Sequence, residues 1–383
     1  MTRWRRLIMV GAAIAALAGG LHSLILRGTD PGDGGDDPSA AQVEPGLTLR
    51  DVTLEQPDER GQPLWRVKGQ EVTYSSNQQV ALITRPDGEL FQDGEVIYEV
   101  TADTGEVQSN GSVILLRGNI VATGIKNGSI LRGNELEWRP QDDVLIMRDN
   151  ITGTHPQLRA VANEARVFNR ENRMELIGDV VAHTVVADPQ TEPWLKLQAQ
   201  ALAWFWAEER IDSTQPLRVE QFKKNAISDV VTGQRGSVNL ANQLVTLRGQ
   251  VAMQLLEIPL NMASEALDWQ VAEERVTVNQ PLTLVHPKTK IKVTARQGLL
   301  DLAQQNIFLS QQVVAVGEQN QARMTSDRLN WNVPTQTLVA EGQVNYRQNN
   351  PSMNVNGPRA VGRLDNQTIV VDGGRVVTEI VPN

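Results

Sequence analysis

The chain has 383 residues, with 36 Lys and Arg against 45 Asp and Glu, for a formal net charge of −9. That acidic balance, with no basic cluster beyond the first six residues, argues against nucleic-acid binding. The absence of cysteine excludes a disulfide framework, a thiolate metal site and a cysteine nucleophile.

At the N-terminus, Arg3, Arg5 and Arg6 precede an uncharged run from Leu7 to Leu26. Twenty helical residues rise about 30 Å, enough to cross a bilayer core. Residues 1–27 are therefore expected to form a cytoplasmic stub and one transmembrane helix. The flanking arginines place the N-terminus inside and the body outside. A cleaved signal is the alternative, with Ala16-Leu17-Ala18 as a small-x-small site. Gly11, Ala15 and Gly19 form one small-residue stripe, which would let the helix pack closely against another membrane helix. Residues 28–46 are rich in Gly, Pro and Asp and read as a flexible linker.

From residue 47, alternation at period 2 recurs between Gly, Asn, Asp and Pro, which predicts strands and turns. A short phrase, typified by "TLRGQVAMQ", repeats with centres at Gly118, Asp149, Gly178, Gln215, Gly249, Gln280, Gln311, Gly342 and Gly373. The last five lie in steps of 31. Trp138, Trp204, Trp269 and Trp331 each precede a centre. Val167, Leu240 and Leu300 take roughly the same place in other copies, so each unit is a first strand, often aromatic-bearing, a turn and a second strand. Stacked units bury a shared core. The expectation is an all-β protein with two facing antiparallel sheets, one strand of each unit in each sheet. Leu247, Gly249, Val251 and Met253 face inward, as do Gly342, Val344 and Tyr346, whereas Arg248, Gln250 and Gln343 face out. Glycine repeated in register predicts a crease. Periodicity alone leaves open whether the inner face is a filled core or an unplugged groove.

The first third adds three ordered stretches. "GQPLWRVKGQEVTY" supplies Gly61, Trp65, Val67, Val72 and Tyr74; "VIYEVTADTGEV" supplies Val96, Tyr98, Val100, Ala102 and Asp103; "LLRGNIV" supplies Leu116, Gly118 and Ile120. In this order, behind an arginine-flanked apolar segment, they resemble the LptC family of membrane-anchored subunits of lipopolysaccharide transport. The later units resemble LptA/OstA repeats. The resemblance covers nearly the whole chain and departs from it in length and at Asp149, where glycine is usual.

The resemblance implies an elongated, twisted, V-shaped β-jellyroll: an LptC-like part at 47–165 and LptA/OstA-like repeats at 166–383 continuing the same groove. It implies a single-pass inner-membrane protein with its body in the periplasm of a Gram-negative-type bacterium. Its partners would be lipopolysaccharide, an LptB/LptF/LptG-type ABC transporter, and an LptA-type bridge protein joined by edge-strand pairing. Acyl chains would lie against Trp65, Val67, Val72, Tyr74, Val96, Tyr98, Val100, Leu116, Ile120 and Trp138. The lining would continue through Leu176, Val180, Leu247, Val251, Met253, Val313, Val344 and Tyr346.

No catalytic chemistry emerges. His155, His183 and His286 lie near expected strand ends, read as surface residues, and lack metal-ligand spacing. No nucleophile-elbow, zinc-protease or phosphate-loop pattern is present. The expectation is a non-enzymatic protein without cofactor or metal. A structural or adhesive β-solenoid that binds no lipid is the competing reading, and a polysaccharide-active enzyme is a weaker third. The conduit predicts an unplugged apolar interior, the solenoid a dry and filled one.

Overall fold

A computed structural model describes residues 45–58, 61–108, 111–317, 321–349, 352–365, 368–373 and 377–380. The expected anchor with Gly11, Ala15 and Gly19, and nearly all of the linker, lie outside these residues. Among the described residues no helix is long and apolar enough to cross a membrane.

Among the described residues, twenty-eight strands form one antiparallel sheet. β1 (Pro45–Pro57) and β2 (Pro63–Ser75) open it. Four short strands follow: β3 (Val80–Thr84), β4 (Asp87–Gln92), β5 (Glu95–Thr101) and β6 (Thr104–Gln108). Six long ones come next: β7 (Val113–Gly124), β8 (Ile130–Arg139), β9 (Val144–Thr154), β10 (Leu158–Phe168), β11 (Arg173–Thr184) and β12 (Trp194–Phe205). A second short set is β13 (Arg210–Ser213), β14 (Leu217–Lys223), β15 (Ala226–Gly233) and β16 (Arg235–Asn239). After β17 (Leu244–Leu255) and β18 (Leu260–Gln270) comes a third: β19 (Arg275–Val278), β20 (Leu282–His286), β21 (Ile291–Ala295) and β22 (Gln297–Asp301). The chain closes with β23 (Asn306–Gly317), β24 (Ala322–Asn332), β25 (Thr337–Asn349), β26 (Ser352–Arg363), β27 (Thr368–Asp372) and β28 (Val377–Ile380).

The repeated phrase marks a fold line. Pairing skips two residues between Arg117 and Ile120, Ile177 and Val180, Arg248 and Val251, Ser310 and Val313, and Glu341 and Val344. Both skipped residues are left-handed, as at Gly249 (φ 77°) and Gln250 (φ 46°). Such a bulge bends the strand and re-aims its side chains. Asp149 with Asn150, and Gln311 with Gln312, hold the same backbone without glycine. At Gln215 and Gln280 the strand breaks outright, because Pro216 and Pro281 lack the N–H that the ladder needs.

Two expectations are corrected here. Gly249 and Gly342 do not belong to the apolar inner face. A Cβ at Gly342 would run into Asp327 of the neighbouring strand, and one at Gly249 into Gln234 in the break between β15 and β16; both side chains are exposed. The glycines therefore face the polar outside of the crease. Nor does each strand of a unit keep to its own sheet. Glu71–Tyr74 of β2 pair with β3, whereas Trp65–Lys68 pair with β4. β3 then pairs with β6 and β4 with β5, and both routes rejoin along β7. Layer one contains β3, β6, β13, β16, β19, β22 and β27; layer two contains β4, β5, β14, β15, β20, β21 and β28. Every long strand crosses the crease and gives half of itself to each layer. The boundary expected after residue 165 falls inside β10, whose pairing with β11 runs on past it.

The two layers share one apolar core, continuous from Trp65 to Ala360. One edge of it is the crease. The other is a rim where the turns of layer one meet those of layer two.

Candidate functional site

The interior between the layers gathers seventeen of the eighteen expected lining residues: sixteen are buried in the core and half-buried Tyr74 packs against it. Val96 does not join them: a register shift between Leu90 and Phe91 pairs it with Phe91, and neither belongs to the core. Val251 and Val344 are each 1 % exposed. Two voids between the layers, beside Trp204 and Trp138, measure only ≈ 20 and ≈ 10 Å³. The interior is closed at these places.

It opens near the C-terminal end. A cavity of ≈ 480 Å³ lies between the layers, with Ile291, Ala315, Met324, Leu338, Tyr346 and Ile369 on its walls. Lys288, Arg363 and Asp365 stand at its mouth, with Arg363 paired to Asp365 at 2.8 Å. Its volume falls in the range that ordinary ligand pockets occupy. Burial pushes the Tyr346 phenol up from its ordinary value.

The four tryptophans of the repeat form a row on layer one: Trp138 on β8, Trp204 on β12, Trp269 on β18 and Trp331 on β24. β8 reaches β12 through β9, β10 and β11. β12 reaches β18 through β13, β16 and β17. β18 reaches β24 through β19, β22 and β23. Each interval is four strands, about 19 Å at the usual strand spacing.

Layer two answers with a polar row at its rim, on the same four-strand interval. His155 follows β9, Lys223 ends β14 and His286 ends β20. The His155 ring meets the Trp204 ring edge-on, with centroids 4.6 Å apart. His286 meets Trp331 at 5.8 Å. Both imidazoles accept a backbone N–H on Nδ1, from Gln157 and Thr289, each at 3.2 Å. Burial holds both below the ordinary histidine value. Lys223 instead pairs its Nζ with Glu274, in the turn after the strand that carries Trp269. That pair joins the layers, whereas Arg148 with Glu164, Arg248 with Asp268 and Arg328 with Glu341 each stay within layer one.

These histidines are not the surface residues that the sequence suggested. A signal was available: His-Pro occurs twice, at 155 and 286. Nothing local marked Lys223. Below it, Gln221 and Asp229 point inward and are 1 % and 5 % exposed. Burial pushes the Asp229 carboxyl up. The apolar wall of layer two is interrupted there, midway along the chain, while that of layer one continues. No group of three or more His, Asp or Glu is placed to hold a metal ion among the described residues.

A family model described as "Lipopolysaccharide-assembly, LptC-related" matches residues 12–181, 144–256 and 262–374. No curated protein matches the chain. Among solved structures, the chain is similar to LptH, described as the LptA homologous periplasmic component of the lipopolysaccharide transport device of Pseudomonas aeruginosa. The identity is 11 %, the TM-score 0.30, and the match covers 34 % of this chain and 96 % of that one.

Proposed function

This chain belongs to the LptC-related lipopolysaccharide-assembly family, and from that premise we propose that it is a passive carrier in lipopolysaccharide transport. It takes acyl chains between its two layers and passes them along the crease. It receives them from an LptB/LptF/LptG-type ABC transporter at the inner membrane. It delivers them to an LptA-type bridge protein by pairing of edge strands. The body works in the periplasm, tethered by the N-terminal segment. The chain acts without catalysis; the work of ATP hydrolysis is done by the transporter.

The observation that carries this reading is the single apolar interior, shared across all three family matches and open at the ≈ 480 Å³ cavity. For the closed stretches to admit a chain, the layers must part at the rim and turn about the crease. The rim suits such movement, because it is closed by side-chain contacts while the crease is closed by backbone ladders.

A photoreactive residue tests it. Placed at Tyr98, Leu116, Val251 or Val344, it captures lipopolysaccharide when the transporter runs on ATP; placed at Arg248 or Gln343, it does not. The small interior voids favour a second reading, in which the chain is a structural repeat protein with a filled core. Silence at all four inner positions establishes that reading instead, and equal labelling of both faces overturns the carrier.

A further inference from the structure

The tryptophan row carries a feature that packing does not require. Trp204, Trp269 and Trp331 are 3 %, 0 % and 1 % exposed, and each holds its indole Nε1–H buried without an acceptor. A phenylalanine would supply an apolar aromatic ring without that donor. An unmade hydrogen bond at a buried donor is a standing penalty, and here it recurs at the same four-strand interval. The facing groups cannot relieve it. His155 and His286 already use Nδ1 as an acceptor, which leaves Nε2 as a donor. Opposite Trp269, Lys223 carries only N–H donors, directed at Glu274, and offers no acceptor.

We propose that these three indoles are hydrogen-bond donors for the carbonyl groups of bound acyl lipid, esters or amides at the head of a hydrocarbon chain. This rests on the carrier reading above. A lone neutral donor in an apolar wall selects a neutral acceptor attached to hydrocarbon. A phosphate there would be a buried charge, and a sugar would leave most of its hydroxyls unpaired. The interval of about 19 Å makes the indoles successive stations along the interior. Parting the layers at the rim withdraws His155 and His286 from the rings and opens each station. A carbonyl arriving there supplies the missing acceptor.

The test uses the full chain in nanodiscs, titrated with an ester-linked diacyl glycolipid and with its dialkyl ether, which lacks the carbonyls. The wild type prefers the ester, by about fivefold per occupied indole. The triple variant Trp204→Phe/Trp269→Phe/Trp331→Phe binds ester and ether alike, a ratio read within the variant and so independent of the packing lost with three smaller rings. With ¹⁵N-labelled indoles, the three Nε1–H resonances of the wild type move with the ester and stay with the ether. This second measurement decides the matter should the triple variant fold poorly. Equal affinity of the wild type for both lipids, with indole resonances unmoved, overturns the proposal and leaves the carrier standing. A triple variant that keeps the ester preference also overturns it, since another group then supplies the donor. Binding of neither lipid by the wild type overturns the carrier reading, and the indole proposal with it.

Discussion

His155 of layer two and Trp204 of layer one meet across the rim, ring centroids 4.6 Å apart and planes 68° to one another. They lie 49 residues apart, and the strand before His155 does not pair with the strand that carries Trp204. The contact exists only because the sheet is folded along the crease, and it makes rim closure sensitive to protonation.

Burial holds His155 and His286 below the ordinary histidine value; Glu209 acts to raise the first, and Lys288 to lower the second further. The unfolded chain therefore binds protons first as pH falls. Stability from these residues is full above about pH 6.5 and is lost as pH drops through that value towards the folded one. Asp229, with its carboxyl raised by burial, runs the other way and destabilises as pH rises. The melting midpoint should fall between about pH 7 and about pH 5, and the fall should shrink in His155→Gln/His286→Gln. An unchanged slope in that double variant would remove the rim histidines from the account.

The crease should tolerate glycine where it lacks it and reject side chains where it has it. Gly342 is left-handed and abuts Asp327. Gly342→Val is expected to cost about 2 kcal/mol or more, from strain and collision together. Gln311 holds a φ of 65° with a side chain attached, so Gln311→Gly should be neutral or stabilising by a few tenths of a kcal/mol. Urea melts of the two variants check this, and equal losses would mean that the crease does not depend on backbone freedom.

Val251→Asp puts a carboxylate into a wall that is 1 % exposed. It should cost several kcal/mol or force the rim open. Arg248→Gln, three residues earlier on the outer face, should cost about 1 kcal/mol or less, since its pair with Asp268 is substantially exposed. Thermal melts that failed to separate the two would contradict the assignment of faces.

The Lys223–Glu274 pair is partly sheltered, with side chains 25 % and 33 % exposed. Lys223→Met leaves the carboxylates of Glu274, Glu257 and the buried Asp229 without their cation. It should destabilise by about 1 kcal/mol. The swap Lys223→Glu/Glu274→Lys should recover part of that, and added salt should narrow the gap between wild type and Lys223→Met. A Lys223→Met protein as stable as wild type would show that the rim closes without this pair.

Filling the open end should separate packing from transport. Met324→Trp adds volume to a wall of the ≈ 480 Å³ cavity. The variant should melt at or above the wild-type temperature. A photoreactive residue at Tyr346 should then lose its lipid capture. Undiminished capture in a stable variant would move the point of entry elsewhere.

The fold was legible in the sequence because strand alternation and bend chemistry are local. Inward positions such as Leu247, Val251 and Met253 could be read from period 2, and the crease from a glycine phrase repeated every 31 residues. The same logic misplaced Gly249 and Gly342, since period 2 counts through a bulge as though the strand were straight, whereas two left-handed residues turn the glycine to the polar side. It also misassigned the strands to sheets, because one bend per strand sends each strand through both layers. Which residues meet across the rim was not legible at all. His155 with Trp204, Lys223 with Glu274 and His286 with Trp331 are separated by 45 to 51 residues, and no local pattern encodes such a distance. The sequence by itself determined where the chain alternates and where it bends, since these follow from the preferences of a few neighbouring residues. Only the tertiary structure decided what the bends bring together, because a contact between two folded layers depends on every strand counted between them.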